Sequence, residues 1–218
     1  MITAWPSPKG AELALEWKGN SSYRILILPA LLDEANKLRH FTVEVARRIH
    51  GSGHGVILPD LPGQNESLLS QYDQTLVQWR EAAAVAANHF GATHVLTVRG
   101  GAILAPDLPG WRYASHSPSS QLRNLLRAKI LSAREAGRFE TSEALMKRGI
   151  AWGLNLGGFD LSGEMVAQLA NLQLQPTEKQ REIGQTDIGG AGLWLRPEPA
   201  FDSSQADTLA AIVAMELA

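Results

Sequence analysis

Cysteine is absent from the 218-residue chain, which removes disulfides, thiolate catalysis and zinc–thiolate sites together. A reducing compartment fits that absence, and the expected location is cytoplasmic. Aromatic residues make up only 6% of the chain and fall at helical spacing or at strand ends, so a base-stacking platform for nucleic acid is not expected. An excess of charge is also missing: the net charge is −2 and the pI about 6.3, which gives no basic field for nucleic acid and no obvious pull toward anionic lipid. Long apolar runs are lacking too. The longest, Ile25 to Leu32, is interrupted by Pro29 and is too short to span a bilayer. The opening MITAWPSPKGAELALEW carries prolines and charges where a signal peptide would carry a basic start and an apolar core. These absences predict a soluble protein without membrane insertion.

What is present is ordinary for a globular domain: 44% hydrophobic and 19% charged residues, at a length that suits a single domain over 1–218. Tyr23 to Leu28 is a short aliphatic run ending at Pro29, which reads as a buried strand. Leu38, Phe41, Val45 and Ile49 then recur at helical spacing, with Asp33 or Asn36 as cap and Gly51 placed for a left-handed end. Val56 to Leu58 forms a second strand and leads into the loop PDLPGQNES. Tyr72, Leu76, Trp79, Ala83, Ala86 and Phe90 mark one face of a long helix that stops at Gly91, and Val95 to Val98 is a third strand. Strand, helix, strand, helix, strand, with strands apolar throughout, is the pattern of a parallel sheet covered on both faces.

From about residue 115 the character becomes helical. Ser119 or Ser120 is placed to cap a helix through Leu122, Leu125, Leu126, Ile130 and Ala133 that ends at Gly137, and helical spacing returns over 141–150 and 162–172. An insertion or lid over about 115–183 is therefore expected. Strand and turn character returns around REIGQTDIGGAGLWLRPEP, with a strand near Leu193. Asp202 and Gln205 are spaced as a capping box for a last helix through Ala206, Leu209, Val213 and Leu217.

The stretch HVLTVRGGAILA carries the chemical question. A short β-rich run breaks at adjacent glycines and continues into apolar residues, the pattern of a sharp strand-to-helix turn. In an α/β-hydrolase that turn reads G-x-S-x-G. Thr97, Val98, Arg99, Gly100 and Gly101 keep the final glycine and replace the serine with arginine. Acyl transfer on that fold needs Ser, then an acid, then His in chain order. The last histidine is His116, shortly after the turn and before the insertion, so no later base exists. Ser115 and His116 are the displaced candidates for catalysis, and adjacent residues on an extended segment point to opposite faces.

The stretch LILPALLDEANKLRHFTVEVARRIHGSGHGVILPDLPGQNES, followed in order by VRGGAILA, GGFDLSGEMVAQLANLQL and LWLRPEPAFD, resembles the exosortase A system-associated hydrolase 2 family of the α/β-hydrolase superfamily. The motifs that carry the likeness are Pro29, Glu34, Asn36 and Lys37, then Asp60, Leu61, Pro62 and Gly63, and finally Trp194 and Glu198. They span most of residues 20–218. The resemblance implies an α/β-hydrolase-like, mostly parallel sheet flanked by helices; with little chain left between the strand near Leu193 and the last helix, that sheet is expected to be shortened relative to eight strands. It also implies an arginine at the degenerate nucleophile elbow as a family feature, and a setting of exosortase and exopolysaccharide proteins.

Two roles for Arg99 follow. At a helix N-terminus its fork, together with Gly100 and Lys37, suits a small anionic ligand. The alternative is an internal charge network with Glu34, Asp60 or Glu198. Glu34, Asn36 and Lys37 also read as ordinary helix-start residues, and Asp60 as a turn tie. His50 and His54 do not share a helical face across Gly51 and Gly53, so neither a metal nor a cofactor is expected. The expected function is a catalytically degenerate binding or accessory protein. An esterase or thioesterase with an unconventional site is the alternative, and a partner-binding or homodimerising module, pairing the free edge of a shortened sheet, is a third reading.

Overall fold

The computed structural model describes residues 1–217 of the protein. The chain opens with an antiparallel hairpin of β1 (Ile2–Ser7) and β2 (Gly10–Trp17), in register from Ile2 opposite Leu15 to Ser7 opposite Gly10. Neither strand was anticipated from the sequence. In ELALEW the residues facing the covered side are Glu12, Ala14 and Glu16, and the aliphatic residues are only half covered. The apolar alternation therefore points away from the buried face. The carboxylates survive burial because Ser67 donates to Glu12 and Arg24 to Glu16.

After the hairpin come β3 (Arg24–Leu28), α1 (Asp33–Gly51), β4 (Gly55–Pro59), α2 (Leu76–His89), β5 (His94–Val98) and β6 (Gly110–Tyr113). The helical segment contains α3 (Pro118–Glu135), α4 (Ser142–Trp152), a small hairpin of β7 (Leu154–Leu156) and β8 (Phe159–Leu161), and α5 (Gly163–Asn171). The chain then returns through β9 (Gln180–Ile183), α6 (Gln185–Ile188) and α7 (Ser203–Met215). The main sheet runs β1-β2-β4-β3-β5-β6-β9, with the five strands from β4 to β9 parallel and β2 antiparallel to β4.

Two-sided burial explains the strand sequences. Ile25 and Ile27 of β3 pack on the face covered by α1 and α7, with Phe41, Val45, Leu209 and Val213. Leu26 and Leu28 pack on the other face, with Trp79 and Ala83 of α2, Leu122 of α3 and Met165 of α5. Both sets are fully buried, so a strand in this position has no polar face to display.

Several local expectations need correction. Gly51 is the last helical residue of α1 and not its left-handed end; the positive φ falls at Gly53, at 94°. The residue preceding α1 is Leu32, so neither Asp33 nor Asn36 caps it. Tyr72 lies in a single 3-10 turn ahead of α2 and is exposed, since Thr75 caps the helix by accepting from the Gln78 N–H. Ser117, not Ser119 or Ser120, caps α3, because Pro118 occupies the first helical position. The insertion ends before residue 180, since β9 pairs with β6 in the main sheet. Leu193 is in a 3-10 turn and not a strand. No helix among the described residues is long and apolar enough to cross a membrane.

Candidate functional site

The turn after β5 holds the central residue. Arg99 has φ of 53°, and a 3-10 helix covers Arg99–Leu104 where a full α-helix was expected. Pro106 limits that helix, because the residue before a proline is driven out of the α region and Ala105 has ψ of 125°. Gly101 is dictated by close approach: a Cβ there would lie 2.4 Å from the Pro29 carbonyl oxygen and 2.6 Å from that of Leu28. The turn is pressed against the end of β3, and only glycine fits.

Arg99 is 7% exposed and its partner Glu34 6%. Nε donates to Glu34 Oε2 at 2.9 Å and Nη2 to Oε1 at 2.8 Å, a bidentate pair, while Nη1 donates to the Ala114 carbonyl at 2.8 Å. The guanidinium carbon sits 3.9 Å from the centroid of the Trp194 ring. The arginine is thus clamped at its edge by a carboxylate and at its face by an indole. Three residues around this clamp hold left-handed backbone without being glycine: Leu32 at φ 55°, Arg99 at 53° and Ala114 at 47°. They follow β3, β5 and β6. Such conformations cost about 1–3 kcal/mol each and persist where the surroundings over-determine them. Here the carboxylate, guanidinium and carbonyl of one hydrogen-bonded set come from those three strand ends.

Beside the clamp lies a cleft of about 380 Å3, with Asp33, Lys37 and His116 among its polar walls and Leu125, Trp194 and Leu195 among its apolar ones. Lys37 Nζ is 3.6 Å from Asp33 Oδ2. Burial raises the Asp33 carboxyl above its usual range, against the pull of Lys37. The backbone N–H of His116 donates to the Arg99 carbonyl at 3.3 Å, and its side-chain Nε2 is buried without a partner. Burial, and then the positive charge of Arg99, hold the imidazole below its ordinary pKa. A neutral histidine therefore faces a cleft in which each carboxylate already has a cation.

Of the residues singled out from the sequence, Arg99, Glu34, Lys37 and His116 meet at this cleft, and Gly100 lies in the elbow backbone behind it. Ser115 does not. Its Oγ donates to Glu182 Oε2 at 2.8 Å and its N–H to Oε1 at 2.7 Å, turning it toward β9 and away from His116. Asn36 is exposed and outside the cleft lining. Asp60 is engaged with Asn65 at 2.7 Å and Arg39 at 3.5 Å, and Glu198 is exposed, so neither completes the arginine network. Among the described residues the contact between a serine and a histidine is Ser21 Oγ with His54 Nδ1 at 2.9 Å. It sits at the opposite end of the sheet in a turn where Ser21 also accepts from the Tyr23 N–H.

Sequence reasoning missed Gln121 and the role of Trp194. Gln121 is 1% exposed; its Nε2 donates to the Leu31 carbonyl, and its Oε1 would lie 2.9 Å from a Cβ at Gly100. It ties α3 to the elbow and to the loop after β3. A glutamine in a helical run gives no signal of that contact, which spans 90 residues. Trp194 stood out in the sequence only as a motif residue, and its stacking on Arg99 joins segments 95 residues apart.

No protein-family model and no curated protein sequence matches the chain. Solved structures do match. The structure of DcsB with its substrate analogue is similar with a TM-score of 0.59 at 10% identity, covering 99% of this chain and 98% of that one. The bottromycin epimerase BotH in complex with bottromycin A2 gives 0.55 at 14% identity over 100% and 99%. Alpha/beta hydrolase domain-containing protein 10 from mouse gives 0.52 at 15% identity over 78% and 69%. At these identities the likeness carries the architecture and nothing finer.

Proposed function

We propose that this chain, whose fold is that of the α/β-hydrolases, is a catalytically degenerate member of that architecture. On this reading it holds a small molecule without forming a covalent intermediate and acts as a binding or accessory component. The exosortase and exopolysaccharide setting belongs to the proposal through the order of sequence motifs alone. The observation that carries the reading is the Arg99–Glu34 pair. The elbow exists to present a nucleophile, and here it presents a guanidinium that has no lone pair for attack and whose fork is spent on a carboxylate.

The same geometry favours an uncharged ligand over the anion expected from the sequence. Arg99 is bound to Glu34, Lys37 stands beside Asp33, and burial keeps His116 neutral, so an anion entering the cleft meets two carboxylates whose cations are already engaged. Leu125, Trp194 and Leu195 supply apolar contact. The volume lies within the range of about 300–1,000 Å3 common for small-molecule sites.

Thermal unfolding with benzamide, benzoate or inorganic phosphate tests this, in wild type and in Ala128→Trp, which fills the cleft from α3. Benzamide is expected to raise the wild-type midpoint and not that of the variant. A ligand at about a hundredfold excess over its Kd adds about 2.7 kcal/mol. A shift with benzoate or phosphate alone overturns the uncharged class, and no shift with any of the three argues against a binding cleft here. A fluorophosphonate probe is expected to leave the protein unlabelled; labelling would favour the esterase reading. Homodimerisation through a sheet edge is a separate proposal, read by light scattering across concentration.

A further inference from the structure

We infer that the outer surface formed by α3, the loop after it and α4 docks on an anionic phospholipid surface. Over the whole chain the charge is close to balanced, but it is not evenly spread. Residues 118–152 carry seven Lys and Arg against three Asp and Glu, whereas the rest of the chain carries thirteen against nineteen. The net charge of −2 conceals a basic lid on an acidic body.

Within that segment the exposed Arg127, Arg134, Arg138 and Lys147 have no ion-pair partner among the described residues; Arg148 alone pairs, with Glu140 at 3.4 Å. The same segment exposes four large apolar side chains: Leu131 at 58%, Phe139 at 96%, Ile150 at 45% and Trp152 at 80%. Single exposed apolar residues are normal on any protein, but here they are interleaved with the free cations. Arg127, Leu131, Arg134 and Arg138 recur at helical spacing along the exposed side of α3 and just past its end, and Phe139 follows directly. Lys147, Ile150 and Trp152 repeat the alternation at the end of α4.

The core-facing residues Leu122, Leu125, Leu126 and Ala133 are on the opposite side of α3, so this surface can engage a partner without unpacking the lid. A surface with basic groups for anionic headgroups, and apolar side chains for the layer beneath, matches an interfacial site on lipid. Leu131 and Phe139 stand out singly while Trp152 also borders a small hollow with Tyr72 and Asn155, so the choice of lipid rests on the pairing of basic groups with exposed apolar side chains.

Co-sedimentation of the full chain with vesicles tests the inference. Wild type is expected to bind phosphatidylcholine vesicles containing about one third phosphatidylglycerol at least tenfold more tightly than phosphatidylcholine alone, and to lose most of that binding when the salt is raised until the Debye length falls to about 3 Å. Two variants, Arg127→Glu with Arg134→Glu and Arg138→Glu, and Phe139→Ser with Trp152→Ser, are each expected to lower binding at least tenfold. Thermal unfolding verifies that both remain folded. Equal partitioning onto both vesicles, or no binding to either, overturns the inference. Loss on charge reversal with none on removing the two aromatic residues also overturns it, because it reveals plain electrostatic adsorption.

Discussion

Replacing Glu34 by glutamine keeps the shape of the side chain and removes its charge, which leaves the Arg99 guanidinium buried against a neutral amide. The pair is bidentate at 2.8 and 2.9 Å and both side chains are less than a tenth exposed, so solvent screens it little. Breaking a buried pair from one side costs about 3–5 kcal/mol, most of it the uncompensated charge. In a domain of this size each kcal/mol moves the thermal midpoint by about 2–4 °C, so Glu34→Gln should lower it by roughly 6–20 °C. Arg99→Met should cost a similar amount, because the lone Glu34 carboxylate is then stranded and the stacking on Trp194 is lost. Methionine inherits the same positive φ, so backbone strain cancels in that comparison. The double variant Arg99→Met with Glu34→Leu has no buried charge, and it should be more stable than either single variant by at least about 2 kcal/mol. Urea titration followed by circular dichroism measures all four proteins, with an unchanged m-value as the check on two-state comparison. A cost below about 1 kcal/mol for Glu34→Gln, the value of an exposed pair, would refute the clamp as the structural centre of the elbow.

Gly51 has open space around its Cβ position and helical backbone, so Gly51→Ala should stabilise by about 0.5–1 kcal/mol, whereas Gly53→Ala, at φ 94°, should destabilise; equal effects in urea would contradict the placement of the left-handed turn. Gly101→Ala should cost more than either, because the new methyl meets two backbone carbonyls that cannot swing aside, and a variant as stable as wild type would count against the close approach of β3. Burial lowers the pKa of both His94 and His116, so near and below the unfolded value of about 6.5 the unfolded chain binds more protons than the folded one. Stability should therefore fall as pH drops through that range, and His94→Gln with His116→Gln should flatten the slope in urea titrations between about pH 7 and pH 5. Asp33 and Asp60 are raised by burial and act with the opposite sign, losing stability as pH rises from their unfolded value near 3.9 toward their folded ones.

The parallel core was legible before any coordinates because two-sided burial leaves a local trace. Strands such as Ile25 to Leu28 and Val95 to Val98 are apolar at every position, and Leu38, Phe41, Val45 and Ile49 keep a 3.6-residue period. The β1–β2 hairpin left no such trace, since its covered face holds Glu12 and Glu16, whose partners Ser67 and Arg24 are chosen by tertiary contact. Helix ends differ from the sequence expectation by one to four residues for a related reason: several residues able to cap compete locally, and packing selects among them. Ser117 won over its neighbours because Pro118 fits only at the first turn.

At the site, the sequence by itself determined which residue types stand where. Arginine occupies the position after Val98, no histidine follows His116, and no cysteine occurs in the chain. It also placed Arg99 at a turn and named Glu34, Asp60 and Glu198 as partners without ranking them. Only the tertiary structure decided among the three, because the choice depends on which strand ends converge. Glu34 and Arg99 are 65 residues apart along the chain and come together because β3 and β5 are neighbours in the sheet and each turns off through a left-handed residue. Hydrophobic periodicity is set within a turn or two of chain, whereas a hydrogen bond across a sheet is set by topology, and that physical difference divides what could be read here from what had to be seen.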